Sequence, residues 1–151
     1  MLRGYWATRR GPFASVAAVL VLSRSLAEEM VAHCLRQHPL EACGLLGGDA
    51  EAERVDDLYL ADNLAASAML YTLDPKAHLR ADRAAEATGT TLLGVFHSHT
   101  HSEAYPSPTD VGQAPDPTWH YVIVSLRDTS PAIRSFRIVD GEVAEERLEL
   151  R

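Results

Sequence analysis

The sequence predicts an α/β fold, a mixed β-sheet flanked by helices, and three observations point to it. Apolar strand-like runs alternate with helical periodicity through the first half of the chain. Strand patterns then dominate the second half, which fits a mixed rather than an all-parallel sheet. The chain has 151 residues, 46% hydrophobic and 23% charged, so a single domain can bury a real core without disulfide or metal staples. No internal repeat or low-complexity tract divides it.

The elements follow in order. Residues 1–15 carry Arg3, Arg9 and Arg10 and no acid, and an apolar run, Val16 to Leu22, comes next. A secretory leader would read this way, with Ser25-Leu26-Ala27 as a small-residue cleavage site. The better reading makes Val19 to Leu22 a short buried strand. Residues 1–15 are then expected to be a disordered extension or an over-long gene start, and the domain to span 16–151. Ser25-Leu26-Ala27-Glu28 has the form of a capping box opening a helix from Leu26 to His38. Leu26, Met30, Val31, Cys34 and Leu35 would be its core-facing stripe. Pro39 breaks the pattern, and Ala42 to Leu46 reads as a strand closed by Gly47-Gly48-Asp49. Arg54 to Asp62 and Met69 to Leu73 read as further strands. Asp74-Pro75 opens a second helix with proline in its first turn, running to about Thr88 and ended by Gly89. Thr91 to Phe96 is a buried central strand. A loop carrying Pro106, Pro108 and Pro115 and a short helix follow. Tyr121 to Leu126 and Ile133 to Val139 are strands, and Asp140-Gly141 is a hairpin turn.

Composition excludes several classes. Fourteen basic against 21 acidic residues give a net charge of −7, with Lys76 the single lysine. That surface repels phosphate backbones, so no nucleic-acid partner is expected. No apolar run reaches the roughly 18 residues that span a bilayer, so no membrane partner is expected either. Cys34 and Cys43 form no CxxC pair and read as reduced, packed thiols of a cytoplasmic protein.

The chemistry concentrates in residues 96–110. His97 and His99, two apart at a strand end, project their imidazoles to one face. Asp110, eleven residues beyond His99, can add a carboxylate oxygen. Two nitrogens and one oxygen leave a tetrahedral zinc with an open position, the mark of a catalytic rather than a structural site. Ser107 could place a hydroxyl at a developing oxyanion. Glu41, just ahead of a strand able to pair with the histidine strand, could carry the proton. A plainer reading exists for part of this set. Ser107-Pro108 is a good helix N-cap followed by proline at N1, and Asp110 at N3 suits the helix dipole. The two readings are compatible, because a capped helix start can position a ligand.

His97-x-His99, seven residues, then Ser107-x-x-Asp110, with Glu41 ahead of Ala42-Cys43-Gly44-Leu45-Leu46-Gly47, resembles the JAMM (MPN+) zinc metallopeptidases. The segments His38 to Gly44, Glu103 to Ser107 and Arg134 to Gly141 resemble the short bacterial branch that contains the CysO-cysteine peptidase. The resemblance covers about Val19 to Leu150. It implies the JAMM/MPN architecture, more distantly similar to cytidine deaminases. It also implies one Zn2+ on His97, His99 and Asp110, with Glu41 as general acid/base and Ser107 assisting at the oxyanion. The implied reaction is hydrolysis after the C-terminal Gly-Gly of a small ubiquitin-like sulfur carrier protein, releasing cysteine for biosynthesis. An isopeptidase removing a ubiquitin-like protein from lysines is the rival enzyme. A non-catalytic scaffold of the same fold is the rival of another class, although all five motif positions are kept. About fifty residues separate Gly47 from His97 and forty-one follow Asp110, which leaves little room for the insertions with which large deconjugases of that family grip a second protein.

Other candidates carry less. There is no HExxH and no P-loop. His33 and His38, five apart on a helix, read as solvated rather than as ligands. The role of His101 stays open, His120 reads as a strand-opening residue, and Cys43 as a packed thiol without a base.

Overall fold

A computed structural model describes residues 19–151; the expectations for residues 1–15 and the start of the apolar run lie outside them. Among the described residues, seven strands and three helices follow the order β1 (Val19–Leu22), α1 (Arg24–Gln37), β2 (Cys43–Asp49), β3 (Arg54–Ala61), α2 (Pro75–Ala87), β4 (Thr91–His99), α3 (Pro108–Gly112), β5 (His120–Ser125), β6 (Ala132–Val139) and β7 (Glu142–Leu150). The sheet runs β1-β3-β2-β4-β5-β6-β7 and closes on itself through β1 and β7. It is mixed, as expected: β4 pairs antiparallel to β2 and parallel to β5. Closure was not anticipated.

Two apolar clusters occupy opposite faces. Ala27, Met30 and Cys34 of α1 join Leu20, Leu22, Leu46, Phe96, Val122 and Val124 on one. Ala81 and Ala85 of α2 join Leu45, Val95, Tyr121, Ile123 and Phe136 on the other. Strand β4 lies at the centre and is buried from Leu92 to His99. Opposite β2 its register shifts between Leu46 and Gly47, which face Gly94 and Leu92. Leu93 is the extra residue. A bulge of this kind switches which side chains face which side. Beyond it Val95, His97 and His99 share the α2 face, while Phe96 and Ser98 face α1. Gly94 is required in that stretch, since a Cβ there would meet the His120 carbonyl oxygen at 2.0 Å.

Several local expectations need correction. Ser23, not Ser25, caps α1, its hydroxyl accepting from the Leu26 amide at 3.2 Å. The cap falls where β1 ends, because the Arg24 amide is taken by the Arg151 carbonyl. Leu35 is 56% exposed and outside the core stripe. Met69 to Leu73 is no strand; a single bridge, Asn63 to Leu73, ties it down. Residues 62–74 form a strap instead, and Met69 is 78% exposed. Asn63 organises that strap. Its Nδ2 donates to the carbonyls of Glu41 (3.0 Å), Ser67 and Leu70, and its Oδ1 accepts from the amides of Ala65 and Thr72. The Asp140-Gly141 turn has positive φ at both residues, 51° and 78°, as a tight hairpin requires.

Both thiols are buried and free. His33 is also buried, not solvated, and donates from Nε2 to the Cys43 carbonyl at 3.1 Å; His38 is exposed. His120 opens β5 as expected, yet it sits in a buried ionic cluster. Its Nδ1 lies 2.5 Å from Glu146 and its Nε2 2.8 Å from Glu53, with Arg137 3.9 Å from Glu53. The cluster ties the β2–β3 turn to β5, β6 and β7.

Candidate metal centre

The site lies at the carboxyl ends of the parallel pair β4 and β5. His97 and His99 are the last alternating residues of β4 on the α2 face and are nearly inaccessible. The β4-to-β5 crossover carries α3, which delivers Asp110. Ser107 caps α3: its Oγ accepts from the Asp110 amide at 3.1 Å, and its own amide donates to Asp110 Oδ2 at 2.8 Å. The capping reading of Ser107 and Asp110 therefore holds, and it is the means by which the carboxylate is aimed. His97 Nε2, His99 Nε2 and Asp110 Oδ2 form a triangle with all sides 3.1 Å.

The donor chemistry fits a divalent cation. His99 Nδ1 donates to the Glu103 carbonyl at 2.8 Å, so the neutral form of the ring would present its Nε2 lone pair to a cation beside Asp110. In the absence of a cation the same contacts are hydrogen bonds to the carboxylate, and a bound cation would take the place of the shared proton. The 3.1 Å edges approach the ~3.3 Å edge of a tetrahedron drawn with bonds of about 2.0–2.1 Å. Tyr71, which sequence reasoning missed, stacks on His97 with ring centroids 4.4 Å apart and fixes that ring.

Glu41 joins them by register. Cys43 lies opposite His97, and the ladder continues with the Ser98 amide donating to the Ala42 carbonyl. Glu41 thus falls opposite His99 on the same face. The Ser98 hydroxyl accepts from the Ala42 amide at 2.8 Å, and the Glu41 amide donates to Ser67. The main chain is held on both sides while the carboxylate is buried, with Oε2 unpartnered. Burial pushes Glu41 up to about 7; the His99 charge pulls it down and Asp110 pushes it up. Burial also drives His97 below the ordinary imidazole range. In His99 burial acts the same way, but the bonds to Asp110 and Glu103 outweigh it and the group ends higher. Burial would raise Asp110, yet hydrogen bonds from both histidines hold it far below the usual carboxylate range.

All five residues singled out in the sequence thus converge here. His101 is exposed. Asn63 and Tyr71, both in the strap, escaped notice because neither belongs to a motif with regular spacing. Among the described residues no helix is long and apolar enough to cross a membrane.

Comparison with known proteins agrees. Residues 23–139 match the family described as prokaryotic homologs of the JAB domain. The chain is 45% identical over 129 residues to the CysO-cysteine peptidase of Mycobacterium tuberculosis, covering 85% of this chain and 88% of that one. It is 39% identical over 127 residues to a probable TtuB-protein conjugate cleaving protease of Thermus thermophilus, covering 82% and 79%. A solved structure from Desulfitobacterium hafniense superposes with a TM-score of 0.81 at 37% identity, over 87% of this chain and 92% of that one. With this match across most of its length, the chain belongs to the JAMM/MPN family, as one of its prokaryotic JAB-domain proteases.

Proposed function

We propose that the protein is a zinc metallopeptidase that cleaves the amide bond after the C-terminal Gly-Gly of a small ubiquitin-like sulfur carrier and releases cysteine. The observation that carries this reading is the convergence of His97, His99 and Asp110 beside a buried, unpaired Glu41 carboxylate. The similarity to CysO-cysteine peptidase over 85% of the chain supports the substrate. Zinc held by His97, His99 and Asp110 would supply Lewis-acid polarisation of a carbonyl and acidify a water molecule.

The residues of this chain do the rest. Glu41, with its carboxyl near 7, can accept a proton from water and pass it to the leaving amine. Its fixed main chain limits where the carboxylate can reach. Ser107 accepts through Oγ from the Asp110 amide, which leaves its O–H free to donate to the carbonyl oxygen as charge develops there. Glycines without side chains let an extended tail lie in a narrow cleft.

The Thermus relative, named for cleaving protein conjugates, favours a second reading in which lysine-linked conjugates are the substrate. A mass measurement separates the two. A carrier ending Gly-Gly-Cys should lose one cysteine, and Gly-to-Ala changes in its tail should block the loss. Survival of that adduct while a lysine-linked conjugate is cut would transfer the assignment to the deconjugase.

A further inference from the structure

Two of the segments that stand out in the sequence, Glu103 to Ser107 and Arg134 to Gly141, lie outside the set of metal donors, and the structure brings them together. Arg134 on β6 makes a two-point ion pair with Glu145 on β7, at 2.8 and 2.7 Å. Its guanidinium, held flat by that pair, lies 5.2 Å from the ring centre of Phe136 and 5.9 Å from that of Tyr105. Tyr105 in turn meets Phe136 edge-on at 5.4 Å. A planar cation against two aromatic rings is a favourable stack that lysine reproduces poorly.

The loop under this stack runs straight into the metal centre. The Glu103 carbonyl accepts both from the Tyr105 amide at 2.8 Å and from His99 Nδ1 at 2.8 Å. The position of Tyr105 therefore sets the direction of the carbonyl that fixes the His99 tautomer. Two residues further on, the Ser107 amide holds Asp110 Oδ2. Ala104 is buried on one side of Tyr105, and the Ser102 carbonyl is held by Ser125 Oγ at 2.6 Å. Tyr105 itself is 45% exposed, so water does not force it into place. The stack with Arg134 and Phe136 does.

We infer that Arg134 and Tyr105 are positioning residues for the metal centre: their stack clamps the 103–107 loop so that His99 and Asp110 are aimed before a cation arrives. The inference rests on His97, His99 and Asp110 being the ligands. Both side chains are partly exposed and meet the α2-face cluster only at the edge of Phe136, so removing them should loosen the loop far more than the sheet. Changes to the groups that orient metal ligands typically weaken binding about 10–100-fold.

The test measures Zn2+ affinity by chelator competition on the purified full-length chain, beside urea unfolding of chelator-stripped protein. Arg134→Ala and Tyr105→Ala should each weaken Zn2+ binding about 10-fold or more, with the urea midpoint unchanged. Tyr105→Phe should bind as the parent does, because the ring and not the hydroxyl is used. Arg134→Lys should recover only part of the loss. The Arg134→Ala/Tyr105→Ala pair should lose little more than either single variant, as members of one clamp do. Parent-like Zn2+ affinity in both alanine variants would overturn the inference. So would an affinity loss matched by an equal fall in stripped-protein stability, which would reduce the stack to general support. If the parent itself binds no Zn2+, while His97→Ala is no different, the ligand assignment fails first.

Discussion

Glu41 shows how one carboxylate can be costly to the fold and useful to the chemistry. It is buried with an unpartnered oxygen, and burial raises it to about 7 from an ordinary 4.5. A group raised on folding contributes its stability fully below its unfolded pKa and loses it as pH rises through the folded one. Chelator-stripped protein should therefore lose stability from this group between about pH 4.5 and 7. Glu41→Gln removes the ionisation, so it should be more stable than the parent at pH 8, by about 1–2 kcal/mol, with the gap closing toward pH 5. Urea titrations at the two pH values measure this; an equal gap at both would mean the carboxyl ionises normally. The same variant should keep its zinc yet slow turnover by roughly 10^2–10^4, and an unchanged rate would remove Glu41 from the mechanism. His97→Ala should lose stoichiometric metal and hydrolysis while circular dichroism stays native. Unfolding of that variant would count against a purely functional His97.

At the scale of elements, short pieces hold the site in place. Helix α3 is five residues long, too short to persist alone, so its cap decides whether Asp110 is aimed. Ser107→Ala removes the cap and the free hydroxyl together. We expect a fall in turnover of ~10^2–10^3 with weakened zinc binding, whereas Ser107→Thr, which can still cap, should stay within about tenfold. If alanine and threonine behave alike, the hydroxyl is not used. The strap depends on Asn63, whose amide meets five main-chain groups. Asn63→Ala orphans several of them and frees the Glu41 carbonyl. It should cost about 2–4 kcal/mol and slow turnover as well; a loss under ~0.5 kcal/mol in urea unfolding would show that water replaces the amide.

For the molecule as a whole, closure of the sheet is the main result. Strand β1 pairs with β7 along its length and touches β3 through Val21 and Arg54, while Leu20 and Leu22 are fully buried. A chain beginning at Val16 is expected to keep the parent's thermal midpoint and zinc content. One beginning at Ser23 should lose the closing strand and two core leucines, each worth about 2–5 kcal/mol, and fail to fold cooperatively. Equal melting curves for the two truncations would argue that β1 is dispensable.

The sequence by itself determined whatever short-range periodicity and chemistry encode. Two histidines at strand spacing, a carboxylate in the first turn of a serine-capped helix with proline at N1, and the Asp140-Gly141 hairpin are all local patterns. The mixed α/β class follows from them in the same way. Tertiary structure decided what depends on register and closure. Which serine caps α1 turned on where β1 stops pairing, since Ser23 and Ser25 are equally good caps in isolation. His33 is buried because β2 brings the Cys43 carbonyl to it. The strap resisted reading because its order comes from one asparagine's hydrogen bonds rather than from any repeat. Glu41 reaches the histidines only because Cys43 pairs opposite His97, and the bulge at Leu93 turns His97 and His99 to that same face. A one-residue shift in either pairing would send those side chains to the α1 face, and no local pattern in the chain specifies that shift.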